Sequence, residues 1–115
     1  MKFLIIGNDW KKFELLDLVA KKLFLTKGVG VADDKLTSFE FALRQAGIAG
    51  TNIVLISSIF PPNAKLIPRK DGLKLIKPGQ ILFTIYSRNQ TNEPNRLVSA
   101  SVGIAQPTDR SKYGY

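Results

Sequence analysis

The stretch Asn52-Ile-Val-Leu-Ile-Ser-Ser-Ile-Phe-Pro-Pro62 decides the fold of this chain. Its four consecutive branched aliphatic residues, Ile53 to Ile56, predict a strand buried on both faces, because the alternation typical of a half-exposed strand is absent. Two serines follow at once, and two prolines then stop the run. The strand therefore carries a serine pair, Ser57 and Ser58, to the rim of a core. An ordinary alternative is that these serines only close the strand with local hydrogen bonds.

Length and composition favour one compact domain over residues 1–115, since 115 residues of which 44% are hydrophobic supply material for a single core. The sequence has no cysteine, which excludes disulfides, thiolate nucleophiles and iron–sulfur clusters. It also has no histidine, the usual general base of hydrolytic triads and the commonest metal ligand. We therefore expect no metal site, and any catalysis must use Asp, Glu, Lys, Tyr or Ser, or a group made from one of them.

The charge balance is strongly basic, with 17 Lys and Arg residues against 9 Asp and Glu residues and a formal net charge of +8. Such a charge attracts nucleic acid, but the basic residues are scattered and no basic stripe with interleaved aromatic residues accompanies them. A solvated basic face is the simpler explanation, so no nucleic-acid partner is predicted. No segment reaches membrane-spanning length, and the apolar start at Phe3 to Ile6 is too short for the core of a signal peptide. We expect a soluble cytoplasmic protein with no membrane partner.

Lys2 to Gly7 predicts a short first strand or an extended arm, and Asn8 or Asp9 then caps a helix that runs to about Lys22. From Leu23 to Val31 the pattern is typical of a strand loosened by two glycines, Gly28 and Gly30. Two glycines in such a strand indicate a bulge or the close approach of another backbone.

A second helix is predicted from Lys35 to Ala46, because Asp33 and Asp34 provide N-terminal caps and Gly47 provides a left-handed C-terminal cap. Its apolar face consists of Leu36, Phe39, Ala42, Leu43 and Ala46. Glu40 lies at the edge of that face. It is either a solvated carboxylate paired with Arg44 one turn later, or an acid directed at a cationic ligand.

Beyond the serine pair the pattern predicts a polar turn at Arg69 to Gly72 and a strand from Gln80 to Arg88. A turn-rich hairpin loop leads to a return strand from Leu97 to Ala105, whose apolar residues alternate with small ones. The last residues, Lys112 to Tyr115, look like the beginning of another strand.

Four segments carry a resemblance to a known family. They are Phe24 to Val31, Leu36 to Ile48, Asn52 to Pro62, and Ser99 to Gly114 with Pro107 and Asp109. In these segments the chain resembles the pyruvoyl-dependent arginine decarboxylases, and the Ser-Ser-Ile-x-Pro-Pro element with its upstream Asn is the most specific part. The resemblance implies an α+β fold, a layered αββα sandwich of mostly antiparallel strands with flanking helices. It also implies a site between the protomers of a trimer.

The resemblance further implies that the chain makes its own cofactor. The Ser58 hydroxyl would attack the preceding carbonyl in an N-to-O acyl shift, and elimination and hydrolysis would then leave a pyruvoyl group at position 58. Ser57 would end a β fragment (residues 1–57), and residues 58–115 would form the α fragment. Asn52 aligns with a family residue that assists this cleavage, although its amide can equally cap the strand. A serine hydroxyl needs such activation because it is a weak nucleophile.

By the same resemblance the activity is the conversion of arginine to agmatine and carbon dioxide, a step of polyamine biosynthesis. The reaction runs through a Schiff base to the pyruvoyl group, which replaces pyridoxal phosphate as the electron sink. Glu40 would grip the guanidinium group of the substrate. Ser38 and Leu36 would be its neighbours in the substrate pocket.

In members of the family the strand that begins near Tyr113 runs on to a catalytic glutamate beyond the position of Tyr115. The chain is therefore expected to be C-terminally truncated relative to the family. The alternative to an active decarboxylase is a truncated or degenerate homologue without catalysis, which serves as an assembly or binding module.

Overall fold

The computed structural model describes residues 18–115. The regular elements in this range are, in chain order, β1 (Lys22–Leu23), α1 (Lys35–Ala46), β2 (Asn52–Leu55), β3 (Lys65–Leu66), α2 (Arg69–Leu75) and β4 (Ile81–Thr84). The predicted first strand and most of the first predicted helix lie outside the described residues. Neither α1 nor α2 has the length and apolar content that a membrane crossing requires.

Helix α1 begins and ends where its caps predict. The backbone of Asp34 is extended, and its carboxylate accepts hydrogen bonds from the N–H (2.8 Å) and the hydroxyl (2.6 Å) of Thr37. These bonds, the one from the hydroxyl first, favour the ionised carboxylate and lower the pKa of Asp34. At the other end Gly47 has a left-handed φ of 83° and donates to the carbonyl of Arg44 at 3.0 Å. Both predicted helix ends are confirmed.

Residues 24–31, the glycine strap, approach the backbone of α1 at Gly28 and Gly30. A Cβ atom at Gly28 would overlap the carbonyl oxygen of Ala42, and one at Gly30 would overlap the carbonyl oxygen of Ser38. Glycine is needed at both positions because any side chain would push the strap away from the helix. The predicted close approach of another backbone is confirmed, and that backbone belongs to a helix.

The strand predicted from Leu23 to Val31 is wrong beyond its first residue, since β1 covers only Lys22–Leu23. The physical reason is the partner of the strap. A helix has already used most of its backbone groups internally, so it offers no ladder to a neighbouring extended segment. The strap is instead held by a side chain, because the N–H of Val29 donates to Oε1 of Gln45 at 2.6 Å.

The strands form two separate sheets of two strands each, and both sheets are parallel. Strand β1 pairs with β3 in the register Lys22↔Lys65, and β2 pairs with β4 in the register Asn52↔Ile81. The prediction of an αββα sandwich of mostly antiparallel strands is therefore wrong for the described part of the chain. Each pair is joined by a long connection that contains a helix, and such crossovers return the chain in the same direction. The sequence pattern located β2 and β4 but did not indicate that they pair with each other.

The polar turn predicted at Arg69–Gly72 is also wrong, since these residues form the first turn of α2. Pro68 precedes the helix, where a proline is tolerated because the first N–H groups have no intrahelical partner. Gly72 suggested a turn, but it is buried under the ring of Phe24, which a Cβ atom at this position would overlap. Close packing against the strap explains this glycine.

Strand β2 is not buried on both faces, contrary to its prediction: Val54 is 40% exposed and Leu55 59% exposed. In a two-stranded sheet each strand has one neighbour, so aliphatic side chains remain in contact with solvent. The predicted return strand at Leu97–Ala105 is likewise not formed, and Leu97 is 95% exposed. The buried hydrophobic residues of the described range are Ala46, Ile48, Phe60 and Ala64. The core therefore lies at the end of α1 and around the turn that follows the serine pair.

Candidate functional site

The serine pair lies between two segments that are held by backbone hydrogen bonds. Upstream, the N–H of Ile56 donates to the carbonyl of Thr84 at 3.1 Å, one residue beyond the end of β2. Downstream, Phe60 and Gly114 form an antiparallel bridge with hydrogen bonds of 2.8 and 2.9 Å. Because the side chain of Phe60 is also buried, the chain is fixed on both sides of the pair.

Ser57 and Ser58 are both exposed, and within residues 18–115 neither forms a hydrogen bond. The ordinary alternative, in which they close the strand with local hydrogen bonds, has no counterpart in the structure. Among the described residues, the peptide that joins them is not part of a sheet ladder. The Ser57–Ser58 peptide bond therefore lies in a short segment that is held by backbone hydrogen bonds at Ile56 and at Phe60 but not between them.

The two prolines after the pair end the extended run, as predicted. The N–H of Ala64 donates to the carbonyl of Pro61 at 3.2 Å, and Asn63 between them has a positive φ of 60°. The N–H of Asn63 also donates to the carbonyl of Arg110 at 2.9 Å. This turn therefore ties the segment after the serine pair to residues 106–112.

Asn52 lies at the opposite end of β2 from the serine pair. Its Nδ2 donates to the carbonyl of Gly79 at 2.8 Å, and its own N–H donates to the carbonyl of Gln80 at 2.8 Å. Ile56 lies four residues after it, which in a strand corresponds to about 13 Å. In one chain the Asn52 amide therefore holds the start of β2 against the turn before β4.

An open groove of about 430 Å³ runs beside α1. Its lining residues are Phe39, Glu40, Leu43, Ala49, Thr51, Ile53, Leu55 and Tyr86. Of these residues Glu40 alone is charged, and most of the others are apolar. Few polar groups on an apolar wall are typical of a site for a small molecule with one cationic end.

At the aromatic residues of the groove, the guanidinium group of Arg88 lies over the ring of Phe39. The rings of Phe39 and Tyr86 are 6.1 Å apart between centroids, and the guanidinium carbon of Arg88 lies 4.0 Å from the centre of the Phe39 ring. This distance is typical of a cation–π contact. The sequence had placed Phe39 on the buried helix face and had not connected it with Tyr86 or Arg88. Tyr86 and Arg88 are two residues apart, and residues at this spacing share one face of an extended segment. This spacing was the feature of the sequence that could have indicated that both side chains reach the same ring.

The predicted substrate residues of α1 differ in their position relative to this groove. Glu40 lines the groove and accepts a hydrogen bond from Nε of Arg44 at 3.0 Å, with both side chains largely exposed. Leu36 is 78% exposed, and the Ser38 hydroxyl donates to the carbonyl of Lys35 at 3.0 Å within the first turn. Neither Leu36 nor Ser38 lines the groove in a single chain.

The serine pair does not line the groove either. The nearest lining residue along the chain is Leu55, three residues before Ser58. Within one chain the structure thus brings Glu40 together with aromatic and aliphatic side chains, and it leaves Ser58 and Asn52 outside this group. Over residues 18–115 there is no cluster of three or more acidic side chains that could hold a metal ion.

Comparison with known proteins gives a consistent result. The model of the family described as pyruvoyl-dependent arginine decarboxylase matches residues 22–115, which include the serine pair, the groove and the strap. A pyruvoyl-dependent arginine decarboxylase of Nitrosopumilus maritimus is 77% identical over 101 residues, or 88% of this chain and 55% of that protein.

More distant relatives carry the same description. A pyruvoyl-dependent arginine decarboxylase of Thermoplasma volcanium is 55% identical over 97 residues, which cover 84% of this chain and 53% of the relative. A probable pyruvoyl-dependent arginine decarboxylase of Chlorobaculum tepidum is 55% identical over 100 residues, or 87% of this chain and 55% of the relative. The chain spans about half the length of the curated relatives it matches.

Proposed function

Because this chain belongs to the pyruvoyl-dependent arginine decarboxylase family, we propose that it cleaves itself between Ser57 and Ser58 and becomes part of an enzyme that converts arginine to agmatine and carbon dioxide. The proposal rests on the serine pair itself, which is exposed and, among residues 18–115, forms no hydrogen bonds between its two anchored flanking segments. Cleavage gives fragments 1–57 and 58–115.

The cleavage chemistry requires only the serine pair and one water molecule. The Ser58 hydroxyl oxygen attacks the Ser57 carbonyl carbon, and the peptide C–N bond breaks as an ester and a free amine form. Loss of the Ser58 Cα proton expels the ester as the Ser57 carboxylate and leaves a dehydroalanine. Its imine tautomer is hydrolysed by water, which releases ammonia and leaves a pyruvoyl group at position 58.

The structure supports this step in two ways. The anchors at Ile56 and Phe60 restrict the ends of the pair, which lowers the entropic cost of bringing the hydroxyl to the carbonyl. The missing ladder bonds leave the peptide free to distort. We propose that Asn52 assists processing by positioning β2, since its amide joins the start of that strand to Gly79.

The residues around the groove fit the rest of a decarboxylase site. A pyruvoyl ketone would supply the electron sink for the electron pair that remains on the substrate Cα when carbon dioxide leaves. We propose that Glu40 binds the guanidinium group of arginine. Its carboxylate can accept two parallel hydrogen bonds, and the adjacent Phe39 ring already receives the guanidinium of Arg88 at 4.0 Å. Arg44 is a weak competitor, because exposed ion pairs of this kind contribute little.

We further propose that the enzyme is a trimer whose site combines residues of two protomers. In one chain Ser58 lies outside the groove that contains Glu40. A neighbouring protomer can bring its own residue 58 to this groove, and the exposed aliphatic side chains of β2 and β4 offer a surface for that contact. The proposed substrate contacts of Ser38 and Leu36 stay predictions for the assembled protein.

Mass spectrometry of the purified full-length protein tests the self-cleavage. We expect two fragments that separate between residues 57 and 58, and a carbonyl group on the second fragment that borohydride reduces. The Ser58→Ala variant should remain intact, whereas Ser57→Ala should still cleave, because position 57 contributes only its carbonyl. Intact wild-type chains after long incubation, without release of carbon dioxide from labelled arginine, would instead favour a non-catalytic assembly module.

Complementation tests the shared site. Ser58→Ala and Glu40→Gln chains are each expected to lose most decarboxylase activity when expressed alone. Mixed oligomers should regain part of it, since some interfaces then combine an intact Glu40 with a processed residue 58 from the neighbour. Mixed oligomers that form and yet remain as inactive as the two parents would show that both residues act within one chain.

A further inference from the structure

A small cavity lies beside the turn that follows the serine pair. Phe60 and Asn63 form one side of it, and Gln106, Arg110 and Lys112 form the other. The cavity has a volume of about 10 Å³, which accommodates a single oxygen-sized group. It opens to solvent on the remaining side, so a larger group can place one atom inside.

Gln106 lines this cavity and carries an unused hydrogen-bond donor. Among the described residues, its Nε2 is the buried side-chain atom that has no hydrogen-bond partner. The orientation of the amide is fixed from the other end, because Nη1 of Arg110 donates to Oε1 of Gln106. A buried donor without a partner costs free energy, so the site favours an acceptor.

The charges around the cavity specify the kind of acceptor. Both charged side chains that line it are cations. Within residues 18–115 Arg110 has no ion pair, and the nearest carboxylate to Lys112 is that of Asp109 at 4.0 Å. Asp109 is turned toward Ser111, whose hydroxyl donates to it at 2.6 Å and lowers the pKa of its carboxyl group. An anionic oxygen therefore fits the cavity better than a neutral one.

We propose that this cavity binds the α-carboxylate that self-cleavage creates on Ser57, an inference that rests on the proposed function. Ser57 is three residues before Phe60, so the cavity lies within about 11 Å of chain. The carboxylate forms when the ester leaves the Ser58 Cβ, and no further bond has to form or break. The substrate is a poorer candidate, because cations that hold its carboxylate would oppose the loss of carbon dioxide.

The consequence is a non-covalent clamp between the two fragments. Gln106, Arg110 and Lys112 all belong to the fragment 58–115, whereas Ser57 ends the fragment 1–57. A charge-assisted contact would therefore replace the peptide bond that cleavage removes. It would also hold the new chain end away from the pyruvoyl group.

The test compares processed and unprocessed protein. In processed wild-type background, Arg110→Gln is expected to lower the melting temperature by about 4–8 °C. The same substitution in the Ser58→Ala background, which has no Ser57 carboxylate, should change it much less. Arg96→Gln is the matched control for lost charge, since Arg96 pairs with Glu93 instead. It should have no differential effect between the two backgrounds.

A second variant should change the melting temperature in opposite directions in the two backgrounds. Gln106→Glu places a carboxylate between the cations, so it should stabilise the Ser58→Ala protein and destabilise the processed one through repulsion of Ser57. If wild-type chains are cleaved but each substitution changes the melting temperature equally in processed wild type and in Ser58→Ala, the clamp is overturned and the self-cleavage still stands. Intact chains in the mass spectrum would overturn both proposals.

Discussion

Helix α1 with its glycine strap and strand β2 with its serine pair are adjacent in the chain but are built in different ways. The helix has a side-chain cap at Asp34, a left-handed cap at Gly47 and backbone contact along one side. Strand β2 has one ladder partner and exposed aliphatic side chains. The first region is determined mostly by its own residues, and the second depends on what surrounds it.

This difference matters for the proposed function. A site that must bind a small cation benefits from a rigid wall, and α1 supplies Phe39, Glu40 and Leu43 from one capped helix. A peptide bond that must rearrange benefits from the absence of restraint, which the segment at Ser57 and Ser58 provides. The two requirements are met by neighbouring segments of opposite character.

The contact between the strap and the helix should give the largest effect. Gly30→Ala is expected to destabilise the protein by about 3 kcal/mol, because the new Cβ would overlap the Ser38 carbonyl oxygen and lie 2.6 Å from the backbone N of Ala42. Urea unfolding of the two proteins measures the difference.

Gly103→Ala is the matched control, since nothing lies within 4 Å of a Cβ at that position. It should change the unfolding free energy by less than about 0.5 kcal/mol. Equal effects of the two substitutions would show that the strap does not press on α1. Helix α1 would then be no more rigidly held than strand β2.

The cap of α1 should give a smaller, pH-dependent effect. Thr37 lowers the pKa of Asp34, so the cap stabilises the folded state at pH values above the usual carboxyl range, and this contribution is lost as the pH falls through the lowered value. Asp34→Ala should therefore be less stable than wild type at neutral pH and should approach it in strong acid.

Asp33→Ala is the control, because among the described residues Asp33 forms no hydrogen bond or ion pair. Its unfolding free energy should follow that of wild type at every pH. A difference between wild type and Asp34→Ala that stays constant down to strong acid would assign the loss to packing rather than to the ionised cap.

The sequence was sufficient to predict those structural features that a few neighbouring residues determine. Asp34 and Gly47 define α1, and Gly28 and Gly30 indicate a close backbone, because each acts through geometry that is local or nearly so. Glu40, predicted at the edge of the apolar face of α1, lines the groove.

The sequence failed where the partner lies far along the chain. Nothing in the aliphatic run of β2 specifies that β4 pairs with it in parallel. Gly72 suggests a turn unless the ring of Phe24 is known to lie on it. The contact of Arg88 with Phe39 joins residues 49 positions apart, and periodicity carries no information about such a pair. These contacts belong to the tertiary structure, so they appear only when the chain is folded.

The smallest change in unfolding free energy is expected for a substitution on the exposed strand β2. Val54, paired with Phe83 in register, is 40% exposed, so Val54→Thr should change the unfolding free energy by less than about 0.5 kcal/mol in the single chain. Ile48→Thr, at a position that is 7% exposed, should cost clearly more because it buries a hydroxyl group. Repeating both measurements on assembled oligomer sharpens the test. If a protomer covers β2, the cost of Val54→Thr should rise toward that of Ile48→Thr, whereas an unchanged small cost would show that the proposed trimer contact leaves this strand exposed.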